Sequence, residues 1–467
     1  MLWTLVRKEF LEHVLGLRFI TSAVLCVVLV LTSVIVLKGD FTAKKRDFNA
    51  NQLAYKREAE NRRNYMQLEQ NGVKVDRPLQ RLSIFFCGLD RNPNRTAQVS
   101  ALFTPVFHGE MDINPVVPLF PVVDLLFVVA IVMSLLALVF SYDAISGEKE
   151  QGTLKLLLSY NVPRDKVILA KWLGGYISLV VPLITSVLIA CVIIVFSKSV
   201  DFRPADWAAF ALAFLASLIY IAAMFSIGLF VSSRCARSST SISILLFIWV
   251  IFVLVVPNVS PYIADQVKPI PPVSKLENEI RQKVSNLIGV FFNEWNQYQR
   301  EHQAELRKPE GWKTAQKWIE KRYQKLKEDM NLVGEKAMKD YERKLRNQIA
   351  VAQNISRISP TASYTYAATD LAGTGVENEW RLLDALRRYQ RAFREYTHKK
   401  TEELKQKGKN VWAGDEYDIS DMPYFRYTGL SLSERLAGVL WDIVVLSLFV
   451  VLFFMGAFVS FLRADVS

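Results

Sequence analysis

Hydrophobic positions in this chain fall in blocks. Uncharged apolar runs alternate with stretches where a charge appears every few residues. Crossing the hydrocarbon core of a bilayer takes about 20 mostly apolar residues in a row. Six runs qualify, at residues 19–37, 122–140, 172–196, 207–231, 239–256 and 439–462. The fifth reaches that length only by recruiting Ser239 and Ser241 ahead of the apolar stretch that begins at Ile242. Six such runs exceed what the core of a soluble fold needs. The pattern predicts a mainly α, polytopic membrane protein with six transmembrane helices. The first run follows a charged leader at residues 1–18 and has no small-residue cleavage pattern before Lys38. It reads as an uncleaved signal anchor.

The spans divide the remaining chain into two sides. Residues 38–121 and 257–438 form large aqueous segments on one side, together with the short loop 197–206. The other side carries the leader, the loop 141–171, the loop 232–238 and the tail 463–467. Arg7, Lys8, Arg18, Lys149, Lys155, Arg164, Lys166, Lys171, Arg234, Arg237 and Arg463 lie on that second side. The one short loop opposite holds only Lys198 and Arg203. Positive charge in short loops marks the cytoplasmic face, so both termini are expected in the cytoplasm of an inner (plasma) membrane. Most of the 57 Lys and Arg, against 45 Asp and Glu, sit in the two large segments. Long domains translocate largely regardless of their charge.

Within the outer segments the period becomes that of solvated helices. After Leu276, apolar residues recur at Ile280, Val284, Leu287, Phe291, Trp295 and Tyr298. A second stripe runs from Ala315 through Ile319, Tyr323, Leu326, Met330, Val333, Ala337 and Tyr341 to Leu345, and a third takes Trp380, Leu383, Leu386, Tyr389 and Phe393 into HKKTEELKQKGK. The expectation is a largely helical extracytoplasmic domain whose three amphipathic helices need one another, or a partner, to bury their faces. Residues 50–70 read as a further charged helix, and Pro269, Pro271 and Pro272 as a stiff exit from the fifth span. RLSIFFCGLD from Arg81 reads as a strand followed by a turn. Acidic residues interrupt the basic ones throughout these helices, which suits a solvated surface and not a nucleic-acid interface.

Catalytic chemistry is sparse. His13, His108, His302 and His398 are scattered without metal-ligand spacing, and there is no GxSxG elbow. Cys26 and Cys191 fall in spans, Cys235 in a short loop, and Cys87 alone in its segment, so neither a disulfide nor a cysteine metal site is expected. SGEKEQGT comes nearest to a nucleotide motif, with Gly147 and Gly152 spaced as in a phosphate-binding loop. Thr153 stands where the phosphate-contacting lysine belongs, and a membrane span precedes it in place of a buried strand.

That stretch reads instead as a helical elbow. Ser146 is placed to cap a helix with Glu148 and Glu150 in its first turn. Gly152 interrupts it, and Thr153 is placed to cap a second short helix with Leu154, Leu157 and Leu158 on one side. Pro163 suits the first turn of a third helix, which runs through Lys171 into the membrane. Apolar knobs and carboxylates on one tip suit a protein contact. The same leucines, with Lys155, would also suit a hairpin lying on lipid headgroups.

SYDAISGEKEQGTLKLLLSYNVPRDKVILAKWLGGY resembles the signature of type 2 ABC-exporter permeases, through Asp143, Glu148, Glu150, Gly152, Thr153, Leu154, Pro163 and Lys171. The leader VRKEFLEHVLGLRFI resembles that family's amphipathic connecting helix, through Lys8, Glu9, Phe10 and Arg18. FMGAFVSFLRADVS and RPLQRLSIFFCGLD are similar to a bacterial subgroup related to the NosY-like permeases. The resemblance covers the membrane part. The helical segment after the fifth span departs from simple members, which have short loops there. The resemblance implies that the elbow, with Leu157 and Leu158 as apolar anchors, is a coupling helix seated on a separate ABC ATPase subunit. ATP and Mg would be bound by that subunit, with no cofactor and no catalytic residue in this chain. It further implies a homodimer or a paired permease subunit.

Asp124 and Asp442 lie in the second and sixth spans near the outer interface. Intramembrane acids are costly unless paired or hydrated, which makes both candidates for a gate or substrate path. Trp441 beside Asp442 also suits plain interfacial anchoring. Arg234 and Arg237 form a candidate second ATPase contact or ordinary positive-inside charge. Pro182 is placed to kink the third span. The expected function is the transmembrane subunit of an ATP-driven exporter of an amphiphilic, lipid-linked or peptide substrate, in contact with membrane lipid and an envelope partner. A second reading has ATP-driven span motion rearranging the outer domain to regulate an envelope partner, with no transport. A third is a membrane-anchored scaffold without ATP coupling.

Overall fold

Runs of membrane length become helices that outgrow them. The computed structural model describes residues 2–91, 95–101, 106–108, 121–154, 163–197, 200–408 and 417–463. Among these, six helices are long and apolar enough to cross a membrane: Leu17–Glu60, Leu125–Glu150, Arg164–Val195, Pro204–Arg234, Ser238–Val267 and Leu432–Leu462. They are spans 1 to 6 below, with span 2 counted to Ser141, where its α-helix ends ahead of the elbow. Their alternation puts the connecting helix Leu2–Val14, the elbow after span 2 and the end of span 6 on one side, the terminal side. Span 1 does not stop at Lys38. It runs 44 residues, about 65 Å at 1.5 Å per residue. Ion pairs at i,i+4 spacing, Lys44–Asp40 and Lys56–Glu60 among them, follow it out of the apolar stretch.

Span 4 is the hub. Its apolar window is 72% buried, against 11% for spans 5 and 6, whose outward faces are left open. Small residues allow the close approach: a Cβ on Gly228 would fall 1.8 Å from Ser141 Oγ of span 2. Spans 2 and 5 each carry a π-helical stretch, at Val128–Met133 and Val250–Val255. The widened turns free carbonyls, and side chains take them up. Tyr220 Oη donates to Ala130 O at 2.9 Å, and Ser359 Oγ donates to Phe252 O.

The far side has two parts. Helix Tyr65–Asn71, capped by Asn64, and helix Val376–Gln406 cover a three-stranded antiparallel sheet of Val73–Asp76, Thr96–Val99 and Val106–His108, with Val73 opposite Val99 and Ala97 opposite Phe107. The strand expected from Arg81 is a 3-10 turn, Arg81–Ile84. Leu82, Ile84, Phe85 and Phe86 are all buried, so the run is enclosed on every side and has no solvent face to alternate with. The other part is an arm, the antiparallel helices Val273–Glu301 and Pro309–Ser356, closed near its tip by the stacked rings of Tyr298 and Trp318 at 4.8 Å. The third amphipathic helix does not complete this pair. Leu382, Leu386 and Phe393 pack on Tyr65, Leu68, Ala97 and Val99 of the sheet layer.

One element escaped the hydrophobic pattern entirely. Helix Pro360–Ala372 is 13 residues long, begins at the Ser359 cap and ends at Gly373, whose φ of 73° only glycine adopts freely. Its first turn meets Phe252, about 21 Å along span 5 from Ser238 at helical rise, which is mid-bilayer depth. Thr361 and Tyr220 hydroxyls are 3.0 Å apart, Ser217 donates to Tyr364 at 3.2 Å, and the Tyr220 and Tyr364 rings stack at 4.8 Å. The chain then returns to the far surface, where Leu89 N donates to Thr374 O at 2.8 Å. This re-entrant helix wedges among spans 2, 4, 5 and 6, and most of the hydroxyls it carries inward find such a partner, Ser363 Oγ being the exception.

Candidate functional site

The elbow after span 2 is built from backbone groups that find partners on other spans. Ser146 does not cap its own helix, Ser146–Glu150. The N–H groups of Ile145 and Ser146 both donate to Ser232 Oγ of span 4, each at 3.1 Å. Gly152 ends the helix at φ 73°, and Thr153 Oγ1 donates back to Glu148 O at 3.4 Å. Leu154, expected as an outward knob, is 4% exposed and packs with Ile145, Val167, Ile168, Leu229 and Phe461. An apolar side chain at the junction of three spans is better covered there than at the tip. Leu157 and Leu158 lie outside the described residues.

Both carboxylates expected at the surface are engaged within the chain. Lys171 Nζ at the start of span 3 donates to Glu148 Oε1 at 2.7 Å and reaches the two oxygens of Glu9 at 3.3 and 3.4 Å. The ammonium is 4% exposed, and the buried Glu148 Oε2 has no hydrogen-bond partner. One cation therefore serves two acids. Glu150 Oε2 accepts from Ser238 N at 3.0 Å, capping span 5, while Lys149 Nζ donates to the carbonyls of Ser233 and Cys235. Spans 3, 4 and 5 and the connecting helix thus meet at a five-residue helix.

The connecting helix lies across span 3. A Cβ on Gly174 would come within 2.7 Å of Glu9 Cβ, so the crossing requires glycine there. Lys8 is exposed beside Glu9 and Glu12 at 3.8 and 3.9 Å, and Phe10 is half-buried. His13 packs on Phe140 with ring centroids 5.6 Å apart, and burial, partly opposed by Glu9, lowers its pKa. Past the bend, Arg18 donates to Asp143 at 2.8 Å and to Tyr142 Oη at 2.9 Å. Of the residues that carried the resemblance, Glu9, Glu148, Glu150 and Lys171 are brought together in this junction, with the Arg18–Asp143 pair beside it. The candidate second contact is open: Arg234 is exposed over the Phe230 ring at 5.7 Å, and Arg237 is exposed just ahead of span 5.

The two membrane acids are 4% and 1% exposed, and both are satisfied. Asp124 caps span 2, accepting from Phe127 N at 2.8 Å and from Cys87 N at 2.7 Å. Asp442 takes both nitrogens of the Arg357 fork at 2.6 and 3.0 Å, with that guanidinium over the Tyr366 ring. Sequence reasoning missed Arg357 and the wedge that follows. The available signal was an arginine just before a run of hydroxyl residues, SPTASYTY. Among the described residues no group of His, Cys, Asp and Glu could hold a metal. What the described residues assemble at the terminal side is a braced junction of helices.

The family described as ABC-2 family transporter protein matches residues 3–466. Over 124 residues, 26% of this chain, it is 33% identical to the probable ABC transporter permease protein NosY of Stutzerimonas stutzeri. A protein of the same name from Pseudomonas aeruginosa is 35% identical over 123 residues, also 26% of the chain. These matches span 45% and 44% of the relatives, less than half their lengths. Six membrane-crossing helices and a family match over nearly the whole length agree: the chain belongs to the ABC-2 transporter family, as a permease subunit of an ABC transporter.

Proposed function

We propose that the elbow is the coupling element of this permease, seated on a separate ABC ATPase at the cytoplasmic face of an inner membrane. The observation that carries this is the Lys171–Glu9–Glu148 junction. It binds the elbow, the connecting helix and span 3 into one body, so displacement of the tip becomes displacement of spans. ATP and Mg sit on the partner, whose hydrolysis drives export of an amphiphilic, lipid-linked or peptide substrate. The open apolar faces of spans 5 and 6 are where a second permease copy, or a paired permease, and lipid complete the assembly. The Asp442–Arg357 pair is the contact that parting of span 6 from the wedge has to break, which makes it the gate candidate.

The wedge favours the second reading as well. It fills the space among spans 2, 4, 5 and 6 from mid-depth outward and is continuous with the arm, so span motion is delivered to the far-side domain through a packed helix. In that reading the arm regulates an envelope partner.

The test is purification of the tagged chain from its own membrane, with Leu157→Asp beside the wild type. An ATPase is expected to co-elute with the wild type and to be lost from the variant, which still inserts and elutes as a single species. Retention of the ATPase with undiminished stimulation overturns the docking. Labelling of a lone cysteine at Thr153 from outside intact cells overturns the orientation.

A further inference from the structure

Between the arm and helix Val376–Gln406 the backbones run antiparallel without close packing, and long side chains bridge them. Arg346 pairs with Asp384 at 3.6 Å, Arg387 with Glu342, Arg394 with Glu335 at 3.2 Å, and Lys405 with Glu320. Between the Glu342 and Glu335 rungs, about 10 Å apart at helical rise, lies a recess of about 280 Å³. Met338 lines it, and Gln390 donates to Ser100 O beside it.

The charge in this recess does not balance. Its two acids are already committed, Glu335 to Arg394 and Asp384 to Arg346 and Arg387. Lys339, Arg388 and Arg391 also line it and form no ion pair among the described residues. Burial, and then the charge of Arg391, hold the Arg387 guanidinium below its ordinary pKa. Two rungs therefore fix the width of a recess onto which three exposed cations, none of them ion-paired among the described residues, open. An anion there pairs with them without breaking a rung. Two guanidinium forks one helical turn apart match the tetrahedral oxygens of phosphate better than a point charge does.

We propose that this recess binds a phosphate or diphosphate ester at the far side of the membrane. Two sources share that chemistry, a lipid headgroup and a soluble phosphate compound.

The full chain in phosphatidylcholine nanodiscs is titrated calorimetrically with inorganic pyrophosphate and, separately, with short-chain phosphatidic acid. Saturable binding of at least one probe, weakening with salt, is expected. Arg388→Ala/Arg391→Ala should weaken it at least about thirtyfold, as two charge-assisted contacts are lost. Arg391→Lys should retain part of it. Lys313→Ala/Lys317→Ala, which removes the same charge near the arm tip, should leave binding unchanged. Pyrophosphate alone binding identifies a soluble ligand; phosphatidic acid binding more tightly identifies a headgroup. No saturable binding of either probe, equal binding by the double variant, or equal loss in the tip control overturns the site. No ATPase is present, so failure here leaves the coupling proposal untouched.

Discussion

Lys171→Met is the substitution that most directly tests how the elbow is held. At an effective dielectric of about 20, unit charges at the observed 2.7 and 3.3 Å attract by about 6 and 5 kcal/mol. Desolvating the ammonium and crowding two carboxylates offset most of that. Removing the ammonium removes the attraction and keeps the crowding, which costs about 3–5 kcal/mol for a buried pair broken from one side. Glu148→Gln acts in the opposite sense. It leaves Lys171 and Glu9 as a balanced pair and eliminates the charge on the unpartnered Oε2, so the cost should stay within about 1 kcal/mol. The loss is local, because Glu9 belongs to the connecting helix. Hydrogen exchange of the Leu2–Val14 amides in the detergent-solubilised chain is the assay. Lys171→Met should lower their protection about 100-fold or more, at 1.4 kcal/mol per factor of ten. Glu148→Gln should lower it less than about tenfold. Equal protection in Lys171→Met and wild type, or a Glu148→Gln loss as large as that of Lys171→Met, would refute the one-cation junction. Glu148→Arg is the wrong probe of partner docking for the same reason, since it sets a second cation against Lys171.

The Arg357–Asp442 pair should behave as a coupled unit in a double-mutant cycle. Arg357→Met and Asp442→Asn should each cost about 3–5 kcal/mol, and the double variant well under their sum. Strictly additive losses in unfolding measurements would count against it. His13 gives a pH prediction: burial lowers its folded-state pKa, so the unfolded chain binds the proton more readily. The stability it contributes is complete above its ordinary value of 6.5 and is lost as pH falls below that. Exchange from the connecting helix should therefore rise between pH 7.5 and 5.5 beyond the intrinsic change, and His13→Gln should flatten the rise; an unaltered profile contradicts it.

Elements were legible where one physical demand dominates. A bilayer requires length and apolarity, and the run at residues 207–231 satisfies both, so it could be read without tertiary context. The wedge satisfies neither. Thirteen residues rich in Ser, Thr, Tyr and Ala look like a loop until Ser217, Tyr220 and the Phe252 carbonyl supply their partners. Those partners sit more than a hundred residues away, which no local pattern reports. RLSIFFCGLD failed for a related reason: apolar character marks burial, and only a free solvent face would have marked a strand. At the elbow the residue types pointed to one place, yet their direction was hidden. Glu148 read as a surface charge because Lys171 comes to it from another span, whereas Glu150 does stay exposed while it accepts from Ser238 N.

The wedge also constrains which motions the bundle can make. Its cap hydroxyl, Ser359, closes the Phe252 carbonyl in the π-helical turn of span 5, while Tyr220, which bonds Thr361, shares the Ala130 carbonyl of span 2 with Ser134. If span 5 slid by a turn while the wedge stayed in place, the Phe252 carbonyl would lose that partner in hydrocarbon, at several kcal/mol. Span 5 must therefore carry the wedge with it, or the wedge must leave as a unit. In both cases Arg357 and the lower end of the arm move too, because helix Pro309–Ser356 ends three residues before the wedge cap. On the coupling proposed above, a push at the elbow that reaches span 5 through the Glu150–Ser238 cap therefore also reaches the far-side domain.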